Sequence, residues 1–129
     1  MSPTQRSLRH LRDNGFLVQV VESYNAFTKR RLDLFGFIDL LAVAESQLLG
    51  IQTTSGSNLS ARRNKILGEC REQARAWLSA GGRIILHGWR KLKVKRGGKA
   101  VRYVLREIEI TKEDLENDER ERHRDTPRD

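Results

Sequence analysis

One acid interrupts an otherwise apolar stretch at residues 36–43, and it constrains the fold more than any other feature of the chain. This acid is Asp39, and Gln52 takes a comparable place in the next apolar stretch, residues 48–54. Short apolar runs separated by a turn predict a hairpin of two strands. Since desolvating an unpaired carboxylate is costly, Asp39 requires a nearby cation. The alternation of side chains along a strand allows Asp39 and Gln52 to meet at one end of that hairpin.

The remaining pattern predicts an α/β fold. Ser2 and Pro3 form a helix start, and helical periodicity returns after the hairpin, with Gly68 as a candidate break. Residues 23–33 are expected to form a loop. The predicted elements are a helix at residues 3–13, strands at 16–21, 36–43 and 48–54, a helix from about 58 to 80, and strands at 84–94 and 101–110.

The hairpin resembles the core motif of the PD-(D/E)XK nuclease superfamily, in which an acid starts one strand and an acid or Gln, a spacer and a Lys end the next. Residues 36–39, Gly-Phe-Ile-Asp, match the first half, and residues 52–54, Gln-Thr-Thr, match the second, with Thr54 where the family usually has Lys. The resemblance covers residues 3–110. It implies a restriction-endonuclease-like αβββαβ core with a mixed sheet flanked by helices, and the predicted order of elements agrees with that core.

The same resemblance implies a metal site. Mg²⁺, for which Mn²⁺ can substitute, would be bound by Asp39, Gln52 and Glu22, because hard cations prefer oxygen ligands. Glu22 resembles the additional acid of the superfamily; alternatively, it is an exposed carboxylate at the end of a strand. The implied catalytic residues are Asp39, Gln52, Lys65 and Glu22.

A cation must replace the family Lys, because the hydroxyl of Thr54 cannot stabilise developing negative charge in the same way. Lys65, on a flank of the second helix, is the first candidate for this role. Arg62 on the same flank and Lys91 on a later strand are alternatives.

The charge of the chain predicts a polyanionic partner. The formal net charge is +8, and residues 111–129 contribute −3, which leaves +11 on residues 1–110. Such a field favours contacts with phosphates. Basic residues alternate with Tyr24 and Phe27 in the loop at 23–33, a composition suited to phosphate contacts and base stacking. The residues expected to bind nucleic acid are Lys29, Arg30, Arg31, Arg62, His87 and Lys91. His87 has two other interpretations: it is a general acid, or it simply packs beside Trp89.

One domain is expected, a nuclease-like domain at residues 1–110, followed by a charged tail at 111–129 that is disordered or a frayed helix. Cys70, the single cysteine, excludes an internal disulfide and falls on the apolar face of the second helix. No apolar run is long enough to span a bilayer. We therefore expect a cytoplasmic protein without a membrane partner.

These inferences combine into a prediction of function. The chain is predicted to be a metal-dependent DNA endonuclease that hydrolyses phosphodiester bonds and resembles the small resolvase-like and VRR-Nuc-like members of the superfamily. That resemblance also implies a homodimer and branched or structured DNA as substrate. The alternative is a non-catalytic nucleic-acid-binding module on the same fold. A third interpretation is an interaction subunit of a larger phage or mobile-element assembly.

Overall fold

The computed structural model describes residues 1–124, which form a mixed five-stranded sheet flanked by helices. The predicted α/β class with a mixed sheet is confirmed. Along the chain the elements are α1 (Pro3–Asp13), β1 (Leu17–Val20), β2 (Ser23–Asn25), β3 (Arg30–Leu32), β4 (Leu40–Ala44), β5 (Gln47–Ser55), a short 3₁₀ turn (Gly56–Asn58), α2 (Leu59–Gly68), α3 (Arg71–Ser79), β6 (Arg83–Lys93), β7 (Val101–Ile110) and α4 (Lys112–Arg124).

The strand order in the main sheet is β1-β4-β5-β6-β7, with β5 and β6 parallel and the other neighbours antiparallel. The parallel pair follows from the helices α2 and α3 between them, because a parallel connection needs a long crossover. The predicted break at Gly68 is present, since α2 ends there and α3 begins at Arg71. Helix α1 starts as predicted, with the Ser2 hydroxyl accepting a hydrogen bond from the backbone N–H of Gln5.

Helices cover both faces of the sheet, and each face has its own apolar core. The face covered by α1 packs Leu11, Val18, Leu40, Ala42, Leu49, Ile51 and Ile85. The other face packs against α2, α3 and α4, and its buried residues are Phe37, Ile38, Leu59, Ile66, Leu67, Cys70, Ala74, Ile84, Leu86, Ile110 and Leu115. Cys70 is thus a buried core residue, as its position on the helix predicts. None of the described helices is long and apolar enough to cross a membrane.

Residues 23–33 form a separate hairpin, β2–β3, rather than the expected loop. Its register pairs Ser23 with Leu32 and Tyr24 with Arg31. The turn is held by the side chain of Asn25, which accepts a hydrogen bond from the backbone N–H of Phe27 at 2.9 Å. The sequence pattern failed here because all six strand residues are exposed, so no apolar periodicity marks them.

The expectation of a disordered or frayed tail at 111–129 is wrong for its larger part, which is the helix α4; residues 125–129 lie outside the described part of the chain. The helix begins with a reciprocal cap, in which Thr111 N–H donates to Asp114 Oδ2 and Asp114 N–H donates to Thr111 Oγ1. Leu115 is 3% exposed within the core. One buried apolar residue and a cap thus help to dock a helix that composition alone describes as solvated.

Ion pairs add to this docking. Acids of α4 face arginines of α2 and α3: Asp114 lies 3.4 Å from Arg63, and Asp118 lies 3.8 Å from Arg71. Glu119 pairs with Arg75. Because these charges are partly exposed, each pair contributes at most about 1 kcal/mol. Acids of α4 thus neutralise three arginines of α2 and α3.

We predict that Leu115→Ala lowers the free energy of unfolding by about 2–5 kcal/mol, because it removes a buried leucine from a packed core. Urea denaturation followed by circular dichroism measures this change. Glu116→Ala, an exposed position on the same helix, is the control and should change stability by less than about 0.5 kcal/mol. Equal stability of Leu115→Ala and the unsubstituted protein would mean that α4 does not pack.

Candidate functional site

A polar cleft of about 340 Å³ opens at one end of the β4–β5 hairpin, where β5 and the β2–β3 hairpin approach the start of α1 and the flank of α2. Most of the residues that line it are polar or charged. They are Ser2, Pro3, Thr4, Glu22, Arg31, Asp33, Asp39, Gln52, Thr53, Thr54, Ser55, Arg62 and Lys65.

Three carboxylates meet in this cleft. Glu22, Asp33 and Asp39 each offer an oxygen, and these oxygens all lie within 4.8 Å of one another. The hairpin β2–β3 brings the first two together, because they flank the terminal pair of that hairpin on opposite strands. Asp39 stands immediately before β4, where its backbone carbonyl accepts a hydrogen bond from Val21 N–H and its own N–H donates to Ile51 O. Backbone pairing thus sets the positions in the chain from which all three carboxylates project.

The Asp39 carboxylate is held in the floor of the cleft. Its Oδ2 accepts hydrogen bonds from the backbone N–H of Thr53 at 2.8 Å and from Thr53 Oγ1 at 3.3 Å. The pKa of Asp39 is raised to about 8, mainly by burial and secondly by hydrogen bonding with Asp33. The charges of Asp33 and Glu22 act in the same direction. Without a cation, Asp39 therefore holds a proton at neutral pH, whereas a bound cation would stabilise its charged form.

Gln52 carries a second, independent sign of a missing partner. The side chain is 1% exposed, and its Nε2 donates to Asp33 Oδ2 at 3.2 Å. Its Oε1 accepts no hydrogen bond from any described residue. Since a buried acceptor without a partner is costly, this oxygen is suited to accept a hydrogen bond or to bind a cation. An amide oxygen beside three carboxylates is a donor set that fits a hard divalent cation.

Cations line the same cleft. Arg31 approaches from β3, and Arg62 and Lys65 approach from α2. Within residues 1–124, none of these three side chains lies within ion-pairing distance of a carboxylate. They are therefore free to contact an anionic ligand that enters from the solvent.

The structure brings together six of the residues that the sequence singles out, and it places others elsewhere. Glu22, Asp39, Gln52, Arg31, Arg62 and Lys65 all line the cleft. Lys29 and Arg30 lie on the exposed outer part of the β2–β3 hairpin, outside the cleft lining. Lys91 lies on β6 and lines a separate groove.

Sequence analysis did not identify two residues of the site. Asp33 was not among the predicted site residues, yet it faces the other carboxylates and Gln52. Thr53 supplies two hydrogen bonds to Asp39, and its hydroxyl also lies 2.8 Å from that of Thr4 on α1. The pairing of β2 with β3 is the signal that would have placed Asp33 opposite Glu22.

The interpretation of His87 as a phosphate contact or general acid is wrong. The side chain is 1% exposed, and its Nδ1 lies 2.9 Å from the hydroxyl of Ser7, which also accepts a hydrogen bond from Trp89 Nε1. Since Ser7 is itself fully buried, this arrangement has no access to a substrate. It joins α1 to β6, so His87 is a packing residue beside Trp89.

Comparison with known proteins leaves the family open. No protein-family model matches the chain, and neither a curated protein nor a solved structure gives a significant match. The fold class therefore rests on the strand order, and the chemistry rests on the cleft.

We predict that His87 makes stability depend on pH. Burial, and secondarily the charge of His10, lowers the pKa of His87 to about 4 from an ordinary value of 6.5. Between these pH values the unfolded chain binds a proton that the folded chain excludes, so stability falls as the pH falls from 6.5 to 4. A shift of this size corresponds to about 3 kcal/mol. His87→Gln should remove that part of the slope in urea denaturations at pH 4.5 and 7.

Asp39 titrates in both proteins, so its contribution cancels in that comparison. Parallel pH profiles for His87→Gln and the unsubstituted protein would contradict the burial of a neutral imidazole.

Asp39 makes stability fall as the pH rises, whereas His87 makes it fall as the pH falls. The pH range over which Asp39 acts also extends to higher values than that of His87. Its pKa in the folded protein is about 8 against 3.8 ordinarily, so the folded chain holds a proton that the unfolded chain has lost. Without divalent cations, stability should fall as the pH rises from about 4 to 8. Asp39→Asn should remove this fall and be the more stable protein at pH 8, as measured by thermal unfolding in EDTA. An unchanged slope in Asp39→Asn would contradict the clustering of the carboxylates.

Proposed function

We propose that this protein is a metal-dependent nuclease that hydrolyses phosphodiester bonds in DNA. The observation that carries the proposal is the cleft in which three carboxylates lie within 4.8 Å of one another beside the partnerless Oε1 of Gln52. Arginine and lysine side chains line the same cleft, where they suit a phosphate. Metal ligands and phosphate-binding cations at one site are what phosphodiester hydrolysis requires.

The order of elements supports membership in the PD-(D/E)XK superfamily. Helix α1 is followed by the antiparallel strands β1, β4 and β5, then by α2 and α3 and the parallel strand β6. This order agrees with the αβββαβ core that the sequence motif implies. The β2–β3 hairpin is an insertion between the first two strands of that core.

Asp39, Gln52 and Glu22, together with Asp33, would hold Mg²⁺ or Mn²⁺. The metal supplies Lewis-acid activation of the phosphodiester and of water. The protein supplies the rest: Thr53 fixes the Asp39 carboxylate through two hydrogen bonds, and the amide of Gln52 is oriented by its contact with Asp33. Because backbone pairing sets these positions, the ligands are preorganised.

Lys65 and Arg62 would take over the charge stabilisation that the family assigns to a Lys on β5. Thr54 stands at that position and is buried, so β5 brings no cation into the cleft. Lys65 reaches the cleft from α2 instead. Its ammonium group would stabilise the negative charge that develops on the phosphate.

The buried Thr54 also favours a second candidate function, a nucleic-acid-binding module without catalysis. In such a module the cations of the cleft bind phosphate, but the missing Lys prevents hydrolysis. The two candidates differ in whether cleavage requires Asp39.

We predict that Asp39→Asn lowers Mg²⁺-dependent DNA cleavage by at least about 100-fold, because it removes a charged metal ligand. Cleavage is measured on linear, flapped, nicked and four-way DNA in Mg²⁺ and in Mn²⁺. Glu45→Gln changes the net charge equally at an exposed site in the β4–β5 turn and serves as the control. DNA binding in EDTA should remain at least as tight in Asp39→Asn as in the unsubstituted protein.

Calorimetric titration with Mg²⁺ tests the ligands separately from activity. Asp39→Asn should lose the binding, whereas Gln52→Glu should tighten it, since a charged oxygen replaces a neutral one. If no substrate is cleaved and no Mg²⁺ binding depends on Asp39, the nuclease proposal is wrong and the binding module takes its place.

A further inference from the structure

A second concavity, here called the basic groove, lies next to the cleft. Its volume is about 600 Å³, and it shares Pro3 and Ser55 with the lining of the cleft, so the two are adjacent. Its charged lining residues are all cationic: Arg6, Arg90, Lys91 and Arg106. They come from α1, β6 and β7, which are distant in sequence but adjacent at this edge of the fold.

The four cations of the basic groove have no carboxylate partners. In the described part of the chain, none of them takes part in an ion pair. Most carboxylates of residues 1–124 lie instead on α4 or at the floor of the cleft. Like charges that line a concave surface repel one another, and a bound polyanion relieves that repulsion. The groove is therefore electrostatically complementary to a chain of phosphates.

Aromatic side chains give the groove a second property. The guanidinium carbon of Arg6 lies 3.3 Å from the centroid of the Tyr103 ring, so the two groups are stacked. Trp89 also lines the groove and is fixed by its hydrogen bond to Ser7. Stacked planar groups of this kind bind the faces of unpaired bases, which a duplex does not present.

We propose that the basic groove binds the phosphodiester backbone of a single nucleic-acid strand that extends from the cleft, with the Arg6–Tyr103 stack contacting an unpaired base. This inference rests on the nucleic-acid substrate of the proposed function and specifies its class, a DNA with a single-stranded flank next to the cleaved bond. Arg6, Arg90, Lys91 and Arg106 are positioning residues, because they lie outside the lining of the cleft.

The test is the binding of a fluorescent oligothymidylate in EDTA, measured by anisotropy over a series of salt concentrations. The double variant Arg90→Ala with Arg106→Ala should flatten the slope of log K against log salt by about 1.4 and weaken binding on the order of tenfold at 0.1 M salt. The control, Lys112→Ala with Arg120→Ala, removes the same net charge from exposed positions on α4. It should change affinity by less than about twofold, because distant charges are screened.

Any of three results would overturn the proposal. The first is an equal loss of affinity in the two double variants, and the second is a duplex of the same length that binds as tightly and with the same dependence on Arg90 and Arg106. The third is displacement of the oligonucleotide by polyglutamate at equal charge concentration. The last result would indicate an acidic polypeptide as ligand. Because the assay contains no divalent metal, it is independent of cleavage. A protein that binds through the groove but never cleaves would refute the proposed function alone.

Discussion

The clustering of three carboxylates at the end of a buried hairpin is the interaction on which the cleft depends. Charges of one sign held this close, and largely out of water, oppose folding unless a proton or a cation neutralises them. The protein accepts this cost at Glu22, Asp33 and Asp39 while leaving the amide oxygen of Gln52 without a partner. A fold selected for stability alone would place apolar or paired side chains here. Such local conflict with stability is typical of functional sites.

Hydrogen-bonded strands, rather than flexible loops, set the geometry of this cluster. Asp39 continues the pairing of β4, and Glu22 and Asp33 flank the first pair of the β2–β3 hairpin. Thr53 then connects the site to α1 through the hydroxyl of Thr4. The cleft is therefore stiff on its sheet side. On its open side lie the long cationic side chains of Arg31, Arg62 and Lys65, which can adapt to a ligand.

Apolar periodicity was sufficient to predict most of the main sheet and the meeting of Asp39 with Gln52. It failed at β2–β3, whose residues are exposed, and at α4, where one buried leucine outweighs a solvated composition. Of the four cations that line the basic groove, sequence analysis singled out only Lys91. The members of the groove are separated by up to 100 positions, and only the pairing of β6 with β7 and the docking of α1 bring them together.

The first three residues occupy an unusual place in this fold. Met1 lines the basic groove, Ser2 lines the cleft, and Pro3 lines both. Any segment that precedes Met1, whether natural or an affinity tag, therefore leaves the fold at the junction of the two concavities. Such a segment would compete with a ligand for the same space and, if acidic, for the same cations. The end of α4, by contrast, lies far from this junction in the layout of the fold, since α4 packs with α2 and α3 against the sheet face opposite α1.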